Sequence, residues 1–255
     1  MPLGRLVVVA FARAVVVASG IAVVAWSWQA SQLAWRHVGL SDAAMRVASR
    51  ETFNSERIER LRPQLDSVDA ESICAPSALH DAAMIRLRLA ESAVVDGKRA
   101  AIDPTLRRLE ATVRKSLQCS PMDPMLWLAL YWVDIQLNGA TSGAVAPLEM
   151  SYRLGPNEGW IALTRSRFGL AAWDYVAPPT REAILNEERA LLDAGFTWEV
   201  AENLVAVGWP IHDRILARLG DAAAASREAL ARRLRHNGYD IAVPGIVLEE
   251  RRPWN

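Results

Sequence analysis

The apolar stretch from Leu6 to Trp28 constrains this chain of 255 residues more than any other feature. It reads LVVVAFARAVVVASGIAVVAWSW, with one charged residue, Arg13, and neither proline nor an acidic residue. At about 1.5 Å per residue, a helix of this length crosses the ~30 Å hydrocarbon core of a lipid bilayer. We therefore predict a transmembrane helix over residues 6–28, and nothing after it resembles a second span.

The residues at the two ends of this stretch predict its orientation. Arg5 precedes the stretch and Arg13 lies in its first half, whereas Trp26 and Trp28 lie at its far end and Trp35 follows it. Basic residues favour the cytoplasmic side of a membrane and tryptophan favours the interface. We expect residues 1–5 in the cytoplasm and the rest of the chain on the opposite side. The alternatives are a cleaved signal peptide, although bulky tryptophans crowd the place of a cleavage site, and a buried helix of a soluble protein.

Composition predicts an all-α protein without a nucleic-acid partner. The chain has 29 basic and 29 acidic residues, and a formal net charge of zero argues against a nucleic-acid binder, which needs a basic face. Alanine, leucine and arginine dominate beyond the apolar stretch, and all three favour helices. We expect a juxtamembrane helical region over 29–73, an α-helical domain over 74–238 and an extended tail over 239–255.

Capping signals divide the chain into helices. Asp103 and Asp123 each precede a proline, the pattern of an N-cap followed by proline at the first helical position. Gly139 is the expected end of the helix that Asp123 opens. Ser41 is expected to cap a helix that reaches about Leu61. Further caps are expected at Asn157 and Thr180, and helices are expected to begin at Thr197 and at Asp221.

The two cysteines, Cys74 and Cys119, lie at similar distances from a predicted turn at residues 96–98. In an antiparallel helical hairpin, residues equidistant from the turn face each other, so both thiols are expected at the open end. An oxidising compartment would permit a disulfide, and closing a loop of about 46 residues contributes ~4 kcal/mol in the chain-entropy model. The alternative is two unrelated buried cysteines.

A repeated pattern follows the predicted hairpin. Residues 120–123 (SPMD) align with residues 155–158 (GPNE) about 35 residues later, and a helix containing tryptophan follows each. Tetratricopeptide (TPR) repeats have a period of 34 residues, an early aromatic residue and a proline at the repeat end. The stretch resembles that family, with Trp127 at the aromatic position and Pro121 and Pro156 at the proline position. The resemblance implies a TPR-like array of antiparallel helix pairs, and the alternative is an irregular helical bundle.

A second resemblance rests on one segment, Leu148 to Trp173. It is similar to small TPR-like proteins associated with bacterial exopolysaccharide gene clusters. This resemblance implies a role in polysaccharide assembly or export. With the predicted orientation, it implies a single-pass protein of the bacterial inner membrane whose main domain is periplasmic.

Sequence motifs of catalysis and cofactor binding are missing. GxSxG, Walker A, GxGxxG, HExxH and paired CxxC motifs do not occur, and no histidine or cysteine has metal-site spacing. We therefore predict no catalytic residue, no cofactor and no metal. Glu187 and Glu188 cannot face one substrate as paired acids, because adjacent helix residues point about 100° apart, and a solvated helix face is expected for them.

Aromatic and basic side chains supply the candidate contact residues. Trp127 and Tyr131 share one helix face. The same aromatic set includes Trp132 of that helix, and Trp160 and Trp173 of a later predicted helix. They either pack in the core or contact a ligand or partner. The arginines Arg153, Arg165 and Arg167 either line a groove for an acidic partner or occupy a solvated face.

These observations favour a membrane-anchored, non-catalytic scaffold that binds a protein partner of an envelope assembly at the membrane surface, with polysaccharide as a further ligand. The alternative is a carbohydrate-binding accessory protein, or an enzyme, with an aromatic-lined pocket between helices. A pocket where tryptophan and arginine meet a carboxylate would favour that alternative. A structural subunit of a membrane complex is a third hypothesis.

Overall fold

The computed structural model describes residues 3–48, 60–72, 74–97, 99–141 and 143–248. Within these ranges every regular element is a helix and no strand occurs, which confirms the predicted all-α class. The chain divides into two compact units, Met1–Arg88 and Leu89–Asn255.

The first unit begins with helix α1, Leu3–Ala48, which is 46 residues long. Its segment Phe11–Gln29 has a mean hydropathy of 1.6 and is exposed throughout, so the protein has a helix long and apolar enough to span a membrane. The interpretation as a buried core helix is wrong. The expected new helix at Ser41 is also wrong, because α1 continues through that residue and the Ser41 hydroxyl donates to Asp81 Oδ2 at 2.7 Å.

Helix α2, Arg62–Ala70, packs in the first unit with α1 and the first part of α3, Pro76–Val95. Its Leu65 and Val68 are buried, as are Leu40, Ala43 and Ala44 of α1. Arg86 of α3 is buried and donates to Asp66 at 3.2 Å and Asp69 at 2.5 Å. These contacts fix the end of α1 against α2 and α3. More than half of the expected helix after Ser41, residues 49–59, lies outside the described residues.

The second unit contains the remaining helices. They are α4 Arg99–Cys119, α5 Pro124–Asn138, α6 Ala146–Leu154, α7 Gly159–Ala171, α8 Pro178–Asp193, α9 Thr197–Val205, a 3₁₀ turn Trp209–Ile211, α10 His212–Leu219 and α11 Ala224–His236. Helix α8 is central, since it contacts α6, α7, α9, α10 and α11. Its Ile184, Leu191 and Leu192 lie in the apolar core of this unit.

Three expected helix boundaries are confirmed, two of them by their cap geometry. Asp123 accepts hydrogen bonds from the backbone N–H groups of Met125 and Leu126 at 3.0 and 3.2 Å, with Pro124 at the first helical position. Gly139 ends the same helix at φ +80°, in the left-handed region that glycine adopts without a Cβ penalty. Thr197 begins α9 as expected.

Four other boundaries differ from expectation. Helix α4 begins at Arg99 and contains Pro104, because the alanines before Pro104 continue the helix toward the N-terminus. Pro178 opens α8 at its first position, so the expected cap at Thr180 is wrong. Helix α7 begins at Gly159 after an N-cap at Glu158, and α11 begins at Ala224, instead of at Asn157 and Asp221.

Residues 239–248 form no helix. Val243 is buried, and Ile241, Ile246 and Leu248 pack on the core of the second unit. Arg227 of α11 donates to the Pro244 carbonyl at 2.7 Å. Residues 249–255 of the expected tail lie outside the described residues.

Cys74 and Cys119 lie at disulfide distance from each other, and neither is a free thiol. The alternative of two unrelated buried cysteines is therefore wrong. Gly97, in the expected turn between α3 and α4, has φ +65°.

Candidate functional site

A surface groove of about 440 Å³ lies between α8 and α10 in the second unit. On α8 the groove residues recur within one face at spacings of three and four, from Pro178 to Leu185. On α10, Ala217 and Arg218 follow Arg214 at the same spacings, so each helix presents one face to the groove. We call it the Trp173 groove; its lining residues are Trp173, Pro178, Arg181, Glu182, Leu185, Arg214, Ala217 and Arg218.

Two guanidinium groups lie over the indole of Trp173. Arg181 Cζ is 5.6 Å from the ring centroid and Arg214 Cζ is 5.9 Å from it, within the range of cation–π attraction. Arg181 is also held by the chain itself, because its Nε donates to the Trp173 carbonyl at 3.0 Å and its Nη2 donates to the Asp174 carbonyl at 3.3 Å. Trp173 is only 7% exposed, and both guanidinium groups lie over its ring.

The third arginine of the groove is paired with side chains of α8. Arg218 donates from Nη1 to Asn186 Oδ1 at 2.5 Å and from Nη2 to Glu182 Oε2. Arg214 differs from it: within the described part of the chain, its exposed guanidinium makes no hydrogen bond and no ion pair. With three arginines and one glutamate, the groove carries a surplus of two positive charges, and guanidinium groups bind carboxylates and phosphates in a planar, bidentate way.

Arg165, expected on a groove or a solvated face, is fully buried instead. Its Nε donates to Glu187 Oε2 at 3.1 Å, and its Nη1 donates to the carbonyl and hydroxyl of Ser151 at 2.8 and 3.2 Å. Its Nη2 donates to the Gly155 carbonyl at 2.9 Å and to Glu187. All five N–H donors are thus used, and the guanidinium lies 4.2 Å above the Tyr152 ring. A buried arginine is stable only with such complete pairing, and it cannot contact a partner.

Glu187 and Glu188, expected on a solvated face, are both buried. They turn to different partners: Glu187 to Arg165, and Glu188 to Asn203 of α9, whose Nδ2 donates to Glu188 Oε1 at 2.9 Å. Asn203 Nδ2 also donates to Ser166 Oγ at 3.0 Å. The two side chains point in different directions, as predicted for adjacent helix residues, but both are buried inside the protein.

Burial changes the protonation of this cluster. Burial raises the pKa of Glu188 to about 8, against the opposing hydrogen bond from Asn203 and with a smaller contribution from Glu187. Burial also raises the pKa of Glu187, and Arg165 opposes that rise. The cluster joins α6, α7, α8 and α9 and acts as a structural centre of the second unit.

The other predicted contact residues do not meet in one pocket. Tyr131 is buried in the core, edge-on to Phe168 with the ring centroids 5.9 Å apart. Trp127 is half-buried and its Nε1 donates to the Pro121 carbonyl at 2.8 Å. Trp160, 56% exposed, donates from Nε1 to Glu158 at 3.3 Å. The remaining two, Arg153 and Arg167, are exposed.

Of the predicted aromatic set, only Trp173 lines the groove, and its arginine neighbours were missed. Arg181, Arg214 and Arg218 resemble ordinary surface charges in the sequence. The one available signal was spacing, since Arg214 and Arg218 stand four apart on α10 and therefore share a face.

A second groove of about 450 Å³ lies between the start of α9 and the end of α11. Trp198 in it is 51% exposed. Its lining residues are Gly195, Thr197, Trp198, Glu199, Ala229, Arg232, Arg233 and His236. Across the described ranges, no group of three or more histidine, cysteine, aspartate or glutamate side chains is placed to hold a metal ion.

Comparisons with family models, with curated proteins and with solved structures each gave no match. The fold and the groove define the class of this protein on their own. It is an all-helical protein with one N-terminal helix long and apolar enough to span a membrane and with a cationic groove on its second unit.

Proposed function

We propose that this protein is a membrane-anchored, non-catalytic scaffold that binds a protein partner at the membrane surface. The Trp173 groove carries the proposal, because it offers an unpaired arginine and a surplus of positive charge on a rigid helical support. Exposed arginine at the centre of a partly apolar surface is typical of protein interfaces. Residues 6–28 would hold this surface at the bilayer.

The orientation forms part of the same proposal. Arg5 and Arg13 favour a cytoplasmic N-terminus, and Trp26 and Trp28, both exposed on α1, favour the opposite interface. The cysteine pair suits an oxidising compartment such as the bacterial periplasm. A TPR-like relationship and a role in exopolysaccharide assembly or export complete the proposal, and the helix pairs α5–α6 and α7–α8 support the first of these.

Topology is tested with reporter fusions at the C-terminus. We expect alkaline phosphatase, which is active only outside the cytoplasm, to be active when fused there, and green fluorescent protein exported by the general secretion route to be dark. Retention of the full-length chain in washed membranes would separate an anchor from a cleaved signal peptide. The opposite fusion pattern, or release of a shortened chain, would contradict the proposed topology.

Partner binding is tested by photo-crosslinking in cells. A photoreactive amino acid at Ala217, inside the Trp173 groove, is expected to give one discrete protein adduct. The adduct should disappear when Arg214→Glu is added. The same probe at Arg107, exposed on α4, serves as the control and should give no such adduct. Equal adducts at both positions would refute a specific binding surface.

A carbohydrate-binding accessory role is the second candidate, and the exposed Trp198 in the second groove favours it. Exposed tryptophan beside arginine, histidine and glutamate side chains is suited to stacking on a sugar ring and hydrogen bonding its hydroxyls. Trp173 does meet arginines and a carboxylate, but it is too buried to stack on a sugar. Trp198→Ala should abolish any binding of exopolysaccharide in calorimetry, and unchanged binding would exclude this site.

A further inference from the structure

The three arginines of the Trp173 groove differ in how many partners hold their side chains in place. Arg181 is fixed by two backbone carbonyls, and Arg218 is paired with Asn186 and Glu182. Arg214 is positioned only by the Trp173 ring, and its hydrogen-bond donors point to no acceptor that the described residues supply. The groove therefore contains one arginine that is positioned and unpaired.

The groove already binds one carboxylate, that of its own Glu182. The Glu182 side chain is 62% exposed, so its pairing with Arg218 faces water, and exposed ion pairs of this kind contribute little free energy. A carboxylate from a ligand can replace it at small cost. Glu182 thus shows which chemical group fits Arg218 and also competes for the same position.

The surroundings favour a peptide over a sugar polymer as the source of the carboxylates. Trp173 is covered and offers no ring face for a sugar, whereas Pro178 and Ala217 offer small apolar contacts for a peptide chain. Arg214 and Arg218 are one helical turn apart, with Cβ atoms about 6 Å from each other. Acidic side chains on a short peptide reach this spacing easily.

We propose that the Trp173 groove binds an acidic peptide segment of the partner, with Arg214 as the primary carboxylate contact and Arg218 exchanging Glu182 for a second carboxylate. This inference rests on the proposed protein-binding function and specifies the chemistry of the partner. Glu182 then acts as an internal competitor that weakens binding until two carboxylates arrive together.

The test uses the full-length protein in detergent micelles and a fluorescein-labelled twelve-residue peptide rich in glutamate and aspartate. Fluorescence anisotropy is expected to show micromolar binding that weakens as salt is raised. The matched peptide with glutamine and asparagine in place of the acids should not bind. Absence of binding by the acidic peptide, or equal binding by both peptides, would overturn the proposal.

Variants distinguish this site from general attraction between charges. We expect Arg214→Gln to weaken binding by about fivefold or more and Glu182→Gln to strengthen it several-fold, because Arg218 loses its internal partner. Arg107→Gln, which removes an equal charge from an exposed position outside the groove, should leave the affinity unchanged. Weaker binding by Glu182→Gln, or equal losses in the two arginine variants, would refute the assignment.

A final comparison uses an oligogalacturonate that carries the same number of carboxylates as the peptide. Tighter binding by the oligosaccharide would assign the groove to acidic polysaccharide and overturn the peptide proposal. Crosslinking at Ala217 tests the proposed protein-binding function independently of the carboxylate chemistry. An adduct that persists while acidic peptides fail to bind would leave the scaffold function standing and remove only the carboxylate assignment.

Discussion

Replacing Glu188 with glutamine tests whether a neutral acid lies at the centre of the second unit. The Glu188 side chain is 1% exposed, and burial raises its pKa from 4.5 to about 8. Glutamine has the shape of the protonated acid, and its amide oxygen keeps the hydrogen bond from Asn203. The variant therefore removes the titration and retains the packing.

The pH dependence of the free energy of unfolding follows from the protons that Glu188 binds in the folded and unfolded chain. Between pH 4.5 and about 8 the folded chain keeps the Glu188 proton and the unfolded chain releases it, so the free energy of unfolding falls as pH rises. Each pKa unit corresponds to about 1.4 kcal/mol, which gives an upper bound of roughly 5 kcal/mol over the whole interval. Partial relaxation around the charged form makes 2–4 kcal/mol the expected range.

Urea unfolding followed by circular dichroism at pH 5, 6.5 and 8 measures this difference. We expect Glu188→Gln and the parent to be equally stable within about 1 kcal/mol at pH 5, and the variant to be more stable by about 2–4 kcal/mol at pH 8. Glu202→Gln, at an exposed position of α9, is the matched control and should follow the parent at each pH. Parallel curves for Glu188→Gln and the parent would refute the buried neutral acid.

Three further substitutions test other parts of the fold by the same unfolding assay. Arg165→Ala leaves Glu187 buried without its partner and is expected to cost about 3–5 kcal/mol, against less than 1 for exposed Arg167→Ala. Gly169→Ala places a Cβ in steric conflict with Tyr152 Oη and 2.8 Å from Ile184 Cγ1, and should cost about 1–3 kcal/mol. Cys119→Ser removes a cross-link and should cost up to about 4 kcal/mol.

Each of these substitutions has a defined contradictory outcome. Equal losses for the two arginine variants would show that the buried ion pair contributes nothing particular. A Gly169→Ala variant as stable as the parent would show that α7 has room for a side chain at this position. If a reducing agent lowers the stability of the parent and of Cys119→Ser by the same amount, the cysteine pair is not the cross-link.

Local signals predicted part of the fold. Asp123 caps α5 with its side chain, Pro124 suits the first helical position, and Gly139 adopts the positive φ at the helix end. These local preferences decide where α5 begins and ends. Proline was less decisive, because it suits the first turn of a helix as well as the end of the one before it. Pro178 therefore begins α8, although the sequence favoured a cap two residues later, at Thr180.

Burial of charge could not be predicted from the sequence. Arg165 and Glu187 are 22 residues apart, and each resembles a solvated residue until its partner is known. The same holds for the groove, where α8 supplies Arg181 and Glu182 while α10 supplies Arg214 and Arg218. Such sites depend on which helices pack together, and helix periodicity does not specify the neighbour of a helix.

The uninterrupted length of α1 has a mechanical consequence. Its 46 residues extend about 69 Å, of which the segment Phe11–Gln29 occupies about one bilayer thickness. With that segment in a membrane, the following turns of α1 would extend from the bilayer as one continuous helix. Leu40, Ala43 and Ala44, near the C-terminal end of α1, are buried in the first unit. One residue inserted between Gln29 and Gly39 would raise those contacts by about 1.5 Å and rotate them by about 100°. An insertion of seven residues would restore their direction at a greater height, so in a membrane α1 would set both the distance and the angle of the first unit relative to the bilayer.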